Sequence, residues 1–159
     1  MQGLLKDLLT ELHSRYFKPN GFKKTRHRFS REVDGVMQEV EFQSSQWNMK
    51  GDAITFYVNI HIGFVDIPMA KGRPALTGMA RIGGLVPGIP AQYDLTMTNI
   101  TTIRDELIDC LPRAMSELPR HYEDVRERAM KGWHTPIPLP ETWRAEQPHA
   151  PDAKGTDDA

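Results

Sequence analysis

The dipeptide Asp34-Gly35, set inside HRFSREVDGVMQEVEF, constrains this chain more than any other feature. Asp-Gly tolerates the positive φ of a two-residue hairpin turn, and apolar and polar residues alternate on both sides of it. The turn sets the pairing: Val33 opposite Val36, Arg31 opposite Gln38, Phe29 opposite Val40 and His27 opposite Phe42. One face then collects Phe29, Val33, Val36, Val40 and Phe42, while the other pairs Ser30 with Glu39, Arg28 with Glu41 and Arg26 with Gln43. A slip of one residue would turn these charges toward the core, so the register is strongly specified. Arg28 directly across from Glu41 adds roughly 0.2–1 kcal/mol.

The flanking segments supply the rest of a sheet and its cover. Leu4, Leu5, Leu8, Leu9, Leu12 and Tyr16 recur on one face of a helix, which Pro19 and Asn20-Gly21 stop near Phe17. Ile54, Phe56, Val58, Ile60, Ile62 and Phe64 alternate with Thr55, Tyr57, Asn59, His61 and Gly63 along a strand over 52–65. That second set is semi-polar and predicts a sheet face that is wet or partly covered. Residues 66–92 are broken by Pro and Gly, with short strands expected at Met79–Ile82 and Tyr93–Met97. Thr102 and Asp105 suggest a capping box for a helix bearing Ile103, Leu107, Leu111, Met115 and Leu118, kinked or broken at Pro112. Pro119 starts a further piece with Tyr122, Val125, Ala129 and Met130 on its apolar side, ending before Gly132.

The predicted fold is α+β. An antiparallel sheet of about five strands is covered on one face by an N-terminal helix and C-terminal helices. Residues 1–132 form one domain. Residues 133–144 are a Pro-rich extension packed on the surface through Trp133, Ile137, Leu139 and Trp143, and 145–159 are a disordered acidic tail.

Composition narrows the function classes. A formal net charge of −1 lacks the basic excess on which non-specific nucleic-acid binding draws. No apolar run is long enough for a membrane span, and Asp7 and Glu11 interrupt any signal-peptide core, which gives a cytoplasmic expectation. Cys110 is the single cysteine, and the six histidines have no metal-ligand spacing, so neither metal nor cofactor is implied. The phosphate-loop, dinucleotide, nucleophile-elbow and HExxH patterns are absent from the sequence.

The order of motifs is itself distinctive. After the first helix come Pro19, Gly21, Phe22, Lys23 and Lys24, then Phe29, Arg31 and Glu32, then Val40, Phe42, Gln43, Ser45, Trp47 and Asn48. Phe56, Val58, Asn59 and Ile62 follow, and later Arg81-Ile82-Gly83. This pattern resembles the bacterial domain of unknown function 4304 family over roughly residues 1–130, most weakly between 66 and 98, where the tryptophan pair common in that family is missing. The resemblance implies no activity, cofactor or catalytic set; similar small bacterial domains sometimes act as immunity or defence proteins.

The chemistry-bearing cluster is the semi-polar sheet face. Register brings Arg28 together with Tyr57, Asn59 and His61, and Arg81 joins from a neighbouring strand. Guanidinium, aromatic, amide and imidazole groups on one surface suit a protein partner or an anionic or planar ligand. The favoured reading is a non-enzymatic interaction domain that uses Arg28, Tyr57, Asn59, His61 and Arg81. An enzyme, hydrolase or transferase, with a His61-centred acid–base site is the alternative. A third reading, weak nucleic-acid binding, rests on the basic run Lys23, Lys24, Arg26, His27, Arg28 and Arg31, within a local excess of +4 over residues 1–35. Glu39 and Glu41 across the hairpin offset much of that field.

Overall fold

The structure, a computed structural model, describes residues 2–45, 52–68 and 74–140. The chain runs from helix α1 (Gln2–Leu12), through a π-helical turn (His13–Phe17), into strands β1 (Lys23–Thr25), β2 (Arg28–Val33) and β3 (Val36–Ser44). The long strand β4 (Ile54–Pro68) and β5 (Pro74–Arg81) come next, then the single-turn helix α2 (Ile82–Leu85) and β6 (Tyr93–Leu95). Helix α3 (Ile100–Glu117), a 3-10 turn (Leu118–His121), helix α4 (Tyr122–Met130) and β7 (Thr135–Pro136) complete it.

The α+β architecture is as predicted, but the sheet holds seven strands rather than about five, in the order β1-β2-β3-β4-β5-β7, with β6 also on β4. All pairings are antiparallel except β5 with β7. The extra strands are short edge pieces of two and three residues, too brief to leave a period in the sequence.

The hairpin register follows from the turn. Asp34 and Gly35 both take positive φ, 50° and 79°, and β2 pairs with β3 as Val33↔Val36, Arg31↔Gln38, Phe29↔Val40 and Arg28↔Glu41. The expectation fails at the other end of β2. Arg26 and His27 form a second two-residue turn, Arg26 at φ 56°, which folds β1 back onto β2. Arg26 therefore leaves the sheet and does not pair with Gln43, although the His27 carbonyl still accepts from the Phe42 N–H at 2.9 Å.

One apolar core lies between the helices and the sheet. Leu8, Leu12 and Phe17 from the N-terminal helical segment meet Phe29, Val40, Phe42, Phe56 and Ile60 from the strands. The first helix ends at Phe17 as expected, and its last turn widens so that the Lys18 N–H reaches the His13 carbonyl at 2.8 Å. Tyr16 and Phe17 are buried there, and Phe17 stacks on Phe29 with centroids 3.8 Å apart. Each such fully buried side chain contributes about 1.5–3 kcal/mol.

Strand β5 begins at Pro74, well before Met79, and Ile82 belongs to α2 rather than to a strand. Its Gly78 is a packing requirement, since a Cβ there would lie 2.8 Å from Ile62 Cγ1 and 2.9 Å from Val125 Cγ1. Helix α3 begins at Ile100, two residues before the expected cap at Thr102; Asn99 precedes it, accepting from the Thr96 N–H at 2.8 Å. Pro112 does not break α3: its ring is exposed while Leu107, Leu111 and Met115 anchor the opposite face. Gly132, at φ 77°, follows α4. Ile137 and Leu139 are buried, whereas Trp133 is 53% exposed. Trp143 and the tail from 145 lie outside the described residues, as do Trp47 and the loop 46–51. No described helix is long and apolar enough to cross a membrane.

Candidate functional site: the polar sheet face

The side of the sheet away from the core is built by alternation. Along β4 the side chains of Ile54, Phe56, Val58, Ile60 and Ile62 turn inward, so Tyr57, Asn59 and His61 turn the other way. Pairing then aligns Arg28 of β2, Glu41 of β3, Asn59 of β4 and Arg81 of β5 in one row across four strands. The adjacent row holds Ser30, Glu39, His61 and Met79, and on the other flank Gln43 pairs with Tyr57. Arg28, Tyr57, Asn59, His61 and Arg81 therefore all lie on one surface.

Glu41 ties this surface together. Its Oε1 accepts from Arg28 Nη2 at 2.7 Å, and its Oε2 lies 3.1 Å from His61 Nε2 and 3.5 Å from Asn59 Nδ2. Arg28 also reaches Glu39 Oε1 at 3.5 Å, and Asn59 Nδ2 donates to Gln43 Oε1 at 2.9 Å. Arg81 lays its guanidinium over the Tyr57 ring, 4.1 Å from the centroid, an arrangement worth about 0.5–2 kcal/mol. The Tyr57 hydroxyl points toward Gln92 Oε1, at 3.4 Å.

Burial and charge act on the two carboxylates in opposite senses. Burial pushes the Glu39 carboxyl up, and the pull of Arg28 and His61 does not restore it. Burial also pushes Glu41 up, but the His61 hydrogen bond, the Arg28 charge and the Asn59 N–H outweigh it and hold that carboxyl below its ordinary range. Asn59 is 3% exposed. Its Oδ1 and the Nη1 of its register partner Arg81 are buried without a hydrogen-bond partner among the described residues. An acceptor and a donor are thus both left over at adjoining positions, each costing about 1–3 kcal/mol while unmade.

Strand alternation sets Glu41 on this face, although it is not among the five residues expected to bind. Its central role arises because Arg28, Asn59 and His61 all come within reach of one carboxylate; the local signal was its position opposite Arg28. Gln92 sits 35 residues from Tyr57 with nothing nearby in the sequence to mark it. The other candidate, the basic run, is divided by the sheet: Arg31 and Lys24, the latter opposite Phe29, lie on the covered side, Arg31 donating to Gln38 Oε1 at 2.8 Å, while Arg28 lies on the polar face; Lys24, Arg26 and Arg28 all line a cleft beside α1. Cys110 is buried in the core, and burial pushes its thiol up to about 11, so it is an unreactive packing residue. Among the described residues no group of three or more His, Cys, Asp or Glu side chains is placed to hold a metal ion.

A family model described as a domain of unknown function (DUF4304) matches residues 13–108, from the end of the first helix into α3. No curated protein and no solved structure matches the chain.

Proposed function

As the chain belongs to the DUF4304 family, whose description carries no activity, we propose from its geometry that it works by binding, as a non-enzymatic interaction domain whose contact surface is the polar sheet face. The observation that carries this reading is the four-strand row Arg28–Glu41–Asn59–Arg81 with Tyr57 stacked beneath Arg81. Side chains locked by hydrogen bonds and stacking lose little entropy when a partner arrives, and Tyr and Arg are the residue types that dominate interface energies. The unmet Asn59 Oδ1 and Arg81 Nη1 add a donor and an acceptor that a partner able to shift Tyr57 or Arg81 slightly can satisfy. An immunity protein acts in this manner, covering its target with a preformed surface, so the reading accommodates a defence setting in a bacterial cytoplasm.

The test compares affinity recoveries from native extract using wild type, Tyr57→Ala, His61→Ala and a distant control, Met97→Ala. Both face variants are expected to keep the wild-type circular dichroism and to lose a partner that the control retains. An unchanged set of recovered proteins sinks the proposal.

A second reading is supported by one contact, His61 Nε2 at 3.1 Å from Glu41 Oε2, the pairing that orients an imidazole for acid–base chemistry in hydrolases and transferases. It ranks second because both Glu41 oxygens already serve Arg28 and Asn59. Turnover of ester or phosphoester substrates that disappears in His61→Ala supports it, and turnover that survives the change removes it.

A further inference from the structure

A cleft of about 1080 Å³ lies where the β1–β2 turn and the end of β3 approach α1, and its lining is strongly cationic. Lys6 comes from α1, Lys24 from β1, Arg26 and His27 from the turn, and Arg28 from β2. The carboxylate among the described lining residues is Glu41, whose oxygens serve Arg28 and His61. Lys6 and Arg26 have no ion pair among the described residues, and Lys24 only approaches the Phe29 ring at 6.0 Å. Elsewhere the arginines at 15, 104, 113, 120 and 126 are each paired with a carboxylate. Among the described residues, Lys6, Lys24 and Arg26 thus bring positive charge without a carboxylate partner to this cleft, while outside it Arg31 meets Gln38 and Arg81 meets Tyr57 rather than a carboxylate.

The backbone gives an independent observation. Arg26 occupies the first position of a two-residue turn at φ 56°, a left-handed conformation that glycine, asparagine or aspartate adopts more readily. The neighbouring hairpin turn meets the same demand with Asp34-Gly35. A cation kept where the backbone favours glycine is strain of the kind that gathers at ligand sites.

We propose that this cleft binds a multiply charged phosphate anion, of the diphosphate or oligophosphate class. Cations from three separate elements line one cleft, which matches an anion carrying several negative charges, and the arginine fork matches phosphate oxygens in pairs. A nucleic-acid strand fits less well. Phe42 is buried and His27 is the other ring among the described lining residues, so the cleft presents little of the aromatic platform on which bases stack. The proposal does not rest on the reading of the sheet face, with which the cleft shares Arg28, Glu41 and Gln43.

The probe is inorganic pyrophosphate, titrated at low salt against the full chain and followed by amide chemical shifts and calorimetry. Saturable binding is expected, with shifts centred on residues 24–28 and α1. Lys24→Ala and Arg26→Gly are each expected to weaken it about tenfold, the size of one charge-assisted hydrogen bond. Arg26→Gly suits the positive φ of the turn and so keeps the fold, which thermal unfolding verifies; Met97→Ala, exposed and outside the cleft, is expected to bind pyrophosphate as wild type does. Absence of saturation, or wild-type affinity in both cleft variants, overturns the proposal. So does a single-stranded oligonucleotide that binds more tightly than pyrophosphate, which would assign the cleft to nucleic acid.

Discussion

Arg28 and Glu41 face each other across β2 and β3, with Arg28 Nη2 donating to Glu41 Oε1 at 2.7 Å. The Arg28 side chain is 53% exposed and that of Glu41 19%, so solvent screens the pair and its contribution is modest. A double-mutant cycle with Arg28→Ala and Glu41→Ala is expected to give a coupling of about 0.5 kcal/mol in urea unfolding at low salt, shrinking as salt rises. A coupling that is zero at low salt would show that the pairing carries no energy.

Glu39 and Glu41, two residues apart on β3, are expected to give opposite pH signatures. Glu41 is held low, chiefly by His61, Arg28 and Asn59 against the push of burial, so its contribution is present above the unfolded-state value and is lost as pH falls through the folded one. Glu39 is pushed up by burial, so its contribution is present in acid and is lost as pH rises through the folded value. Glu41→Gln should therefore be less stable than wild type at neutral pH by roughly 1–2 kcal/mol, with the gap closing below the ordinary carboxylate range. Glu39→Gln should be at least as stable as wild type at neutral pH, the difference narrowing as pH falls. Urea midpoints across pH for the three proteins decide; parallel profiles contradict the assignment.

Adjacent glycines offer a test of close packing. A Cβ on Gly83 would sit 2.6 Å from the Ile89 carbonyl oxygen, whereas one on Gly84 meets nothing nearer than 3.8 Å. Gly83→Ala is expected to destabilise the fold by about 1–3 kcal/mol and Gly84→Ala by much less, because only the first forces two backbone segments apart. Gly78→Ala belongs with the first, since Ile62, Val125 and Ile137 crowd that position from three elements. Thermal midpoints rank the three, and equal values for Gly83→Ala and Gly84→Ala would contradict the packing.

On the covered side of the sheet, Gln38 is 4% exposed and its Nε2 donates to the Tyr122 hydroxyl at 2.6 Å, linking β3 to α4. Tyr122→Phe leaves that donor without this acceptor and should cost about 1–3 kcal/mol. The double change Gln38→Leu with Tyr122→Phe is expected to cost less than the sum of the two single changes, because no orphan amide remains at the contact. Strict additivity in denaturant unfolding would mean that the two side chains do not communicate.

What could be read from residue order is what neighbouring residues decide between themselves. The Asp34-Gly35 turn and the period of two on each side placed Phe29 and Val40 inward and Arg28 and Glu41 outward. The same alternation along β4 put Tyr57, Asn59 and His61 on the face that Arg28 occupies. The structure departs from local expectation where a local preference is overridden or a signal is too short. Arg26 bends the chain despite being a poor turn residue, Pro112 sits inside α3, and Gly78 lies mid-strand.

The remaining features required the folded chain. Gly78 marks a strand rather than a break because Val125 and Ile137, distant in sequence, come too close for any side chain. Lys6 shares a cleft with Lys24 and Arg26 because α1 packs beside the β1–β2 turn. Glu41 became the centre of the polar face when β4 brought Asn59 and His61 to its second oxygen. Turn chemistry and side-chain alternation act within a few residues and leave a period in the sequence; contacts across dozens of residues depend on where whole elements come to rest, and no local pattern encodes that.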